Sequence, residues 1–360
     1  MIIFVHKLLS LLLFSVTGGF LFLLFLNRSL LLLADSKAKT PLILFAALVL
    51  IGGGGYSGYH FAYQPWIFLP LLVLAALVLG EAREIFLRRH HRGSPPVDTR
   101  PHRVAITAPI TTTDLTIHRY EVSLPQVTRP LRIVHITDMH MDQRFPWDYY
   151  KNALATAESY KPDIAVFTGD FISHIKALPC ISDIVRPLAK YATYAVLGNH
   201  DYWVDPVGIA QRLRDCGLHV LTNETVALRI GKTQVAVTGY DYPWGTREEH
   251  IPSQPDGVLH LVLTHTPDNI YRLVSANADM VFAGHCHAGQ VRLPLRGSIV
   301  VPSIYGCRFD HGHFLIDKTH LFVASGIGAS HPPVRIYCQP DIFVVDVMKS
   351  ASQSSFGVSK

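Results

Sequence analysis

Asp138-Met139-His140, Gly198-Asn199-His200-Asp201 and Gly284-His285-Cys286-His287 are three short runs in which carboxylate, amide and imidazole groups crowd together. With Gly169-Asp170 and His265 they supply seven oxygen and nitrogen donors: Asp138, His140, Asp170, Asn199, His265, His285 and His287. Seven donors suffice for two divalent ions rather than one, and oxygen mixed with imidazole suits Mn, Fe or Zn without any thiolate. Asp170, at the end of an apolar run, is placed to give one oxygen to each of two cations. Cations bridged in this way, ~3.5–4 Å apart, clamp the attacking and leaving oxygens of an in-line displacement. The predicted chemistry is metal-assisted hydrolysis, most naturally at phosphorus.

Residues two apart on an extended segment point the same way. On that geometry Asp138 pairs with His140 and His285 with His287, while Met139 and Cys286 turn away, Cys286 as a small packing residue. Asn199 and His200 are neighbours and are expected to diverge, the Asn199 amide oxygen to a metal and the His200 ring to the substrate. His200 is then the general acid for the leaving oxygen, and Asp201 orients its imidazole and raises its pKa. Attack by a water activated between the ions needs no covalent enzyme intermediate. Arg292, Arg308 and Arg335 are candidates to grip a substrate phosphate in a bidentate way.

Each donor run follows a strand-like stretch: Ile133 to Ile136, Ile164 to Phe167, Tyr194 to Leu197, Leu259 to Leu263 and Met280 to Ala283. Leu115 to Val122 and Val235 to Thr238 read as further strands, and Tyr149 to Ser159 and Ile181 to Lys190 are helix-compatible. Short apolar runs alternating with helices early, then strand-rich sequence with turn signals later, predict an α/β (α+β) domain of two packed sheets flanked by helices.

The series Asp138-x-His140, Gly169-Asp170, Gly198-Asn199-His200-Asp201, His265 and Gly284-His285-x-His287 resembles the signature of the calcineurin-like metallophosphoesterase superfamily, with all five blocks in order. The resemblance implies a two-sheet β-sandwich with helices outside. It also implies one metal on Asp138, His140, Asp170 and His287, a second on Asp170, Asn199, His265 and His285, His200 as the catalytic histidine, and manganese as the favoured ion. Ala288 to Pro294, Gly326-Ile327-Gly328 and Pro333-Val334-Arg335 resemble the bacterial membrane-associated phosphodiesterase branch, over roughly residues 102 to 347. Ala288 departs from the glycine usual there, but no ligand is touched. That branch includes enzymes similar to the UDP-2,3-diacylglucosamine pyrophosphate hydrolases of lipid A synthesis, so a phosphorylated small molecule or a lipid-linked substrate is implied. A phosphatase of nucleotides or proteins is the alternative within the enzyme class. A non-catalytic membrane scaffold is the alternative outside it, disfavoured because no donor is missing.

The N-terminal region is of another kind. Leu8 to Leu26 and Leu42 to Tyr63 are charge-free apolar runs of membrane-spanning length. Trp66 to Gly80 is a third if it recruits Ile85 to Leu87 while Glu81, Arg83 and Glu84 snorkel or pair. A cleaved signal peptide is disfavoured, since two apolar runs follow the first and no small-residue cleavage site stands out. The expected division is transmembrane helices over 1–87, a basic linker over 88–103, the metallophosphoesterase domain over 104–348 and a Ser-rich, disordered tail over 349–360. Lys and Arg between the first two runs and after the third put the N-terminus outside and the catalytic domain on the cytoplasmic side of a bacterial inner membrane.

Bulk charge gives no sign of nucleic-acid binding. The net +5 arises in residues 1–100, which hold nine Lys plus Arg against four Asp plus Glu, whereas residues 101–360 hold 23 of each. The bilayer is the expected macromolecular partner. Five cysteines without framework spacing fit a reducing compartment.

Overall fold

The computed structural model describes residues 2–30, 38–60, 68–101, 107–245, 251–294 and 296–350. It divides into two compact units: Met1–His91 with Ser298–Asp310, and Arg92–Gly297 with His311–Lys360.

The first unit is helical, with α1 (Ile2–Phe25), α2 (Lys39–Ala47), α3 (Gly54–His60) and α4 (Phe68–His90). Two stretches, Ile2–Ser29 and Lys39–His60, are long and apolar enough to cross a membrane. Their apolar side chains, Leu9, Leu12, Phe45 and Leu48 among them, point outward, whereas small residues line the contact between them. A Cβ on Gly18 would overlap Leu50 O, and one on Gly58 would crowd Ser10 O and the Phe14 ring. Close approach through small residues is how helices associate where no water drives burial. The third apolar run is α4, and Glu81, Arg83 and Glu84 give it more charge than the other two.

Those charges are paired. Glu84 accepts from Arg308 Nε at 2.7 Å and Nη2 at 2.8 Å, and Arg88 meets the buried Asp310 at 2.6 Å. Asn27 receives the Val301 amide at 2.8 Å and donates to Ile299 O at 3.2 Å. Residues 298–310, expected inside an unbroken domain over 104–348, therefore pack with the helical unit, held by polar links no local pattern announces. Nor are residues 88–103 all linker: α4 continues to His90, and β1 (Asp98–Arg100) pairs antiparallel with β2 (Thr116–Leu124). Of the expected tail, Lys349 ends the last strand and residues 351–360 lie outside the described residues.

The second unit is a sandwich. Its seven-stranded sheet runs β1-β2-β15-β3-β4-β5-β6, where β3 is Leu131–Ile136, β4 Ile164–Thr168, β5 Ala192–Val196, β6 His219–Val220 and β15 Asp341–Lys349. The six-stranded sheet runs β13-β14-β10-β9-β8-β7, with β7 Thr225–Ile230, β8 Thr233–Tyr240, β9 Leu259–Thr264, β10 Met280–Ala283, β13 Gly312–Ile316 and β14 Thr319–Val323. The two-residue strands β11 (Arg292–Leu293) and β12 (Gly297–Ser298) lie between β10 and β13 in the chain. Helices α5 (Trp147–Ser159), α6 (Ile181–Val185), α7 (Asn199–Val204), α8 (Pro206–Asp215) and α9 (Ile270–Ser275) complete it. The expected α/β fold of two sheets flanked by helices is what forms.

Strand alternation explains the layers. Ile133, Ile164 and Val166 pack with Leu261, Met280 and Phe322 between the sheets. Their neighbours Val134, Ile136, Ala165 and Phe167 face Leu154, Ile184, Ile209 and Leu213 under the helices. Strands buried on both faces read as continuous apolar runs rather than as alternation. Strands β3, β4 and β5 are mutually parallel, as are β8, β9 and β10, so each sheet gathers carboxyl ends at one edge, where α/β sheets place their sites.

Candidate metal centre

Every donor run sits just past a carboxyl end: Asp138 after β3, Asp170 after β4, Asn199 after β5, His265 after β9 and His285 after β10. The loops are stitched by main-chain bonds, Asp138 N to Gly169 O at 3.0 Å, His140 N to Asp170 O at 2.9 Å and Gly284 N to His265 O at 2.8 Å. Their backbone is not extended. Asp138, His140, Asp170, His285 and His287 all have φ between 43° and 66°, a left-handed region uncommon for non-glycine residues. Such strain persists where surrounding structure over-determines it, and it concentrates at functional sites. The extended-segment reading of the motifs is thereby corrected: His285 and His287 face different partners rather than sharing one.

Three overlapping groups result, each offering one ligand atom per residue within 4.8 Å: Asp138, His140 and His287; His140, Asp170 and His200; Asp170, His265 and His285. In the first, His140 Nε2 lies 2.9 Å from His287 Nε2, and Asp138 Oδ1 lies 3.2 Å from the latter. In the last, His265 Nε2 lies 3.0 Å from Asn199 Oδ1 and 3.2 Å from His285 Nδ1. Asp170 Oδ2 joins them, 3.3 Å from His140 Nε2 and 3.2 Å from His265 Nε2. All seven donors are thus brought together. His265 donates through Nδ1 to Thr168 O at 2.6 Å, which turns Nε2 inward; burial opposes its charge, but Asp170 and Asp138 raise it to about 9, so a cation bound at Nε2 displaces a proton. His140 Nδ1 is 2.9 Å from Ser173 Oγ. Second partners of this kind fix tautomers at metal sites.

The donors fit divalent cations. Among the described residues Asp138 Oδ1 is buried without a hydrogen-bond partner, and inward-facing ring nitrogens of four histidines converge on two carboxylates. Burial opposes ionisation of Asp138 and Asp170. Even so, His287, His140 and His265 hold the Asp138 carboxyl well below its ordinary range, and His265 and His200 do the same for Asp170. Burial pushes His285 down to about 3 and His287 well below the usual imidazole value, so both are neutral, the form a metal requires. Glycine makes the crowding possible: a Cβ on Gly284 would overlap both Thr137 Oγ1 and Asp138 Oδ2.

The other expected residues fare differently. The His200 ring is half-buried, its centroid 4.6 Å from that of His140 and 4.8 Å from Trp203. Asp201, expected to orient that ring, instead engages backbone amides: Oδ1 accepts from Phe171 N at 2.9 Å and Oδ2 from Gly198 N at 3.0 Å, bracing two donor loops. Burial and the nearby Asp170 charge push its carboxyl up to about 7. Arg292 is half-buried and donates to Ala288 O at 2.9 Å. Arg308 belongs to the helical unit, bound by Glu84.

Arg335 is 0% exposed and donates to Ser325 O at 2.6 Å, Gly326 O at 3.0 Å and Gly328 O at 2.6 Å, with His287 Nδ1 3.4 Å away. It is an internal strut, not a hand for substrate. Arg335→Met is expected to destabilise the protein by about 3 kcal/mol or more, because several buried carbonyls lose their donor. Denaturant melts paired with kinetics check this: a raised KM with unchanged stability would return Arg335 to the substrate.

Sequence reading missed the aromatic rim. Trp244 stands 5.4 Å from His265 and 5.0 Å from His285 between ring centroids, and Tyr202 donates to Asp241 at 2.6 Å. The signals were present in Tyr202-Trp203, directly after the Asn199 run, and in Asp241-Tyr242-Pro243-Trp244-Gly245.

Comparison with known proteins agrees with this geometry. A model of the family described as calcineurin-like phosphoesterase matches residues 131–289. The chain is 28% identical over 228 residues to the phosphodiesterase YaeI of Escherichia coli (strain K12), covering 61% of this chain and 83% of that protein. It is 28% identical over 244 residues to the metallophosphoesterase YkuE of Bacillus subtilis (strain 168), covering 64% and 84%. To the UDP-2,3-diacylglucosamine pyrophosphatase LpxG of Chlamydia trachomatis serovar D it is 25% identical over 220 residues, covering 46% and 65%. With strand ends, donor order and family model in agreement, residues 131–289 form a calcineurin-like phosphoesterase domain, of a family of metal-dependent phosphoric ester hydrolases.

Proposed function

We propose that the protein is a membrane-anchored dinuclear phosphodiesterase or pyrophosphatase, acting on a lipid-linked substrate such as UDP-2,3-diacylglucosamine. The observation that carries the dinuclear reading is Asp170 Oδ2, set between His140 and His265 at nearly equal distances. Asp138, His140, Asp170 and His287 would hold one ion, and Asp170, Asn199, His265 and His285 the other, with manganese favoured over iron or zinc. When bound, such ions neutralise phosphoryl oxygens and make water nucleophilic near neutral pH. The side chains do the rest. His200 protonates the leaving oxygen from beside His140, Asp201 keeps the Asp170 and Asn199 loops in register, and Arg292 steadies the phosphate. Two apolar helices and the similarity to LpxG support a lipid-linked substrate, since anchoring raises effective concentration at the bilayer. The domain over 104–348, apart from 298–310, works on the cytoplasmic face of a bacterial inner membrane.

The test is hydrolysis by the purified full-length protein with manganese. UDP-2,3-diacylglucosamine is expected to be cleaved at its pyrophosphate, at least tenfold faster in kcat/KM than a chromogenic phosphodiester, a nucleotide monoester or a phosphopeptide. Turnover of the chromogenic diester with inertness toward the lipid-linked compound removes the lipid proposal and leaves the phosphodiesterase.

A further inference from the structure

Away from the centre just described, three side chains with metal-ligand chemistry meet where β15 begins. His118 comes from β2, His311 from the residue before β13 and Asp341 from the first position of β15, and their ligand atoms all lie within 4.8 Å of one another. Asp341 Oδ2 is 2.6 Å from His311 Nε2 and 3.8 Å from His118 Nε2. We propose that His118, His311 and Asp341 form a separate divalent-cation site of the zinc type, distinct from the phosphoesterase centre.

The donors are oriented from behind. Asp341 Oδ1 accepts the Ser325 amide at 2.8 Å, which leaves Oδ2 for a cation, and His118 Nδ1 lies 3.1 Å from Thr99 Oγ1, which leaves Nε2. Partners of this kind fix ring orientation and tautomer at metal sites. The carboxylate is sunk, with 1% of its side chain exposed, while the His118 and His311 rings keep 17% and 22%. An ion therefore has an entry path and room for solvent at a remaining position. Two imidazoles, a carboxylate and water make a common zinc donor set, and donors ~2.0–2.2 Å from one zinc stand roughly 3.3–3.5 Å apart. Binding closes the His118 distance slightly and replaces the His311 hydrogen bond by a shared ion.

The site has a structural consequence. Asp341 N donates to Gly326 O at 3.1 Å, and the same loop reaches the donor run of the first sheet through Ile327 N to Thr137 O at 3.2 Å and Gly328 N to Asp138 O at 2.8 Å. A cation on Asp341 fixes the loop that backs Asp138.

Full-length protein stripped with chelator and titrated with zinc, then desalted for metal analysis, tests the proposal. Wild type is expected to retain about three ions per chain and His311→Ala about two. Asp170→Ala, which empties the phosphoesterase centre, should keep about one, and this separates failure of one site from failure of the other. Loaded with one equivalent of cobalt, Asp170→Ala should show a visible d–d band that the Asp170→Ala/His311→Ala double variant lacks. Should His311→Ala not fold, the milder His118→Gln replaces it. Wild type saturating at two ions with the His311 or His118 variant unchanged, or Asp170→Ala retaining none, overturns the site.

Discussion

Replacing Asp170 by Ala is expected to abolish turnover, with kcat/KM falling by roughly 10³-fold or more and bound metal lost from the phosphoesterase centre. The magnitude follows from charge stabilisation by the ions, worth several kcal/mol in the transition state, with each 1.36 kcal/mol counting about tenfold. Asp170 Oδ2 reaches donors of both groups, at 3.3 Å from His140 and 3.2 Å from His265. Its second oxygen accepts the His200 amide at 2.8 Å, so Ala also loosens the start of α7. Asp170→Asn separates the two effects: an amide oxygen can still take that hydrogen bond, but the charge is gone. Metal analysis of both variants, read beside their kinetics, checks the argument. Full activity with undiminished metal in purified Asp170→Ala would end the dinuclear reading.

Much of this architecture is legible in the residues because the strands that carry the donors are buried on both faces. The apolar run Met280 to Ala283 is β10 end for end, and Ile164 to Phe167 is β4 but for one residue. The donors themselves stand out by type and order. Their backbone conformation does not, since Asp138, His140 and His287 carry no glycine or asparagine to mark positive φ, and bonds from loops tens of residues away impose it. Long-range pairing also hid the roles of two arginines. Arg335 reads as a cation available to a substrate phosphate because arginine is rarely buried, yet its acceptors lie on the 325–328 loop. Arg308 finds Glu84 across 224 residues of chain. Asp201 was misread for a local reason. Adjacency to His200 suggests a pairing of side chains, whereas Asp201 stands at the third position of α7 and its carboxylate reaches back to the Gly198 amide at the N-cap.

His200→Ala is expected to keep its full complement of metal while losing roughly 10²–10⁴-fold in kcat, the usual worth of a positioned general acid. Two observations set the expectation. His200 is half-exposed at the head of α7, beside Trp203 and above His140, so a leaving oxygen can approach its ring. The ring also lies within ligand range of His140 and Asp170, which admits a rival role as a metal donor. The two roles differ in what the variant retains and in how its loss depends on the substrate. A general acid matters most when the departing oxygen is basic, so the deficit of His200→Ala should shrink markedly for a nitrophenyl diester, whose oxygen leaves unprotonated, and stay large for an alkyl or sugar-phosphate leaving group. A ligand would impose the same deficit on both and carry an ion away with it. Parallel loss across leaving groups together with lowered metal content would therefore move His200 from the substrate to the metals.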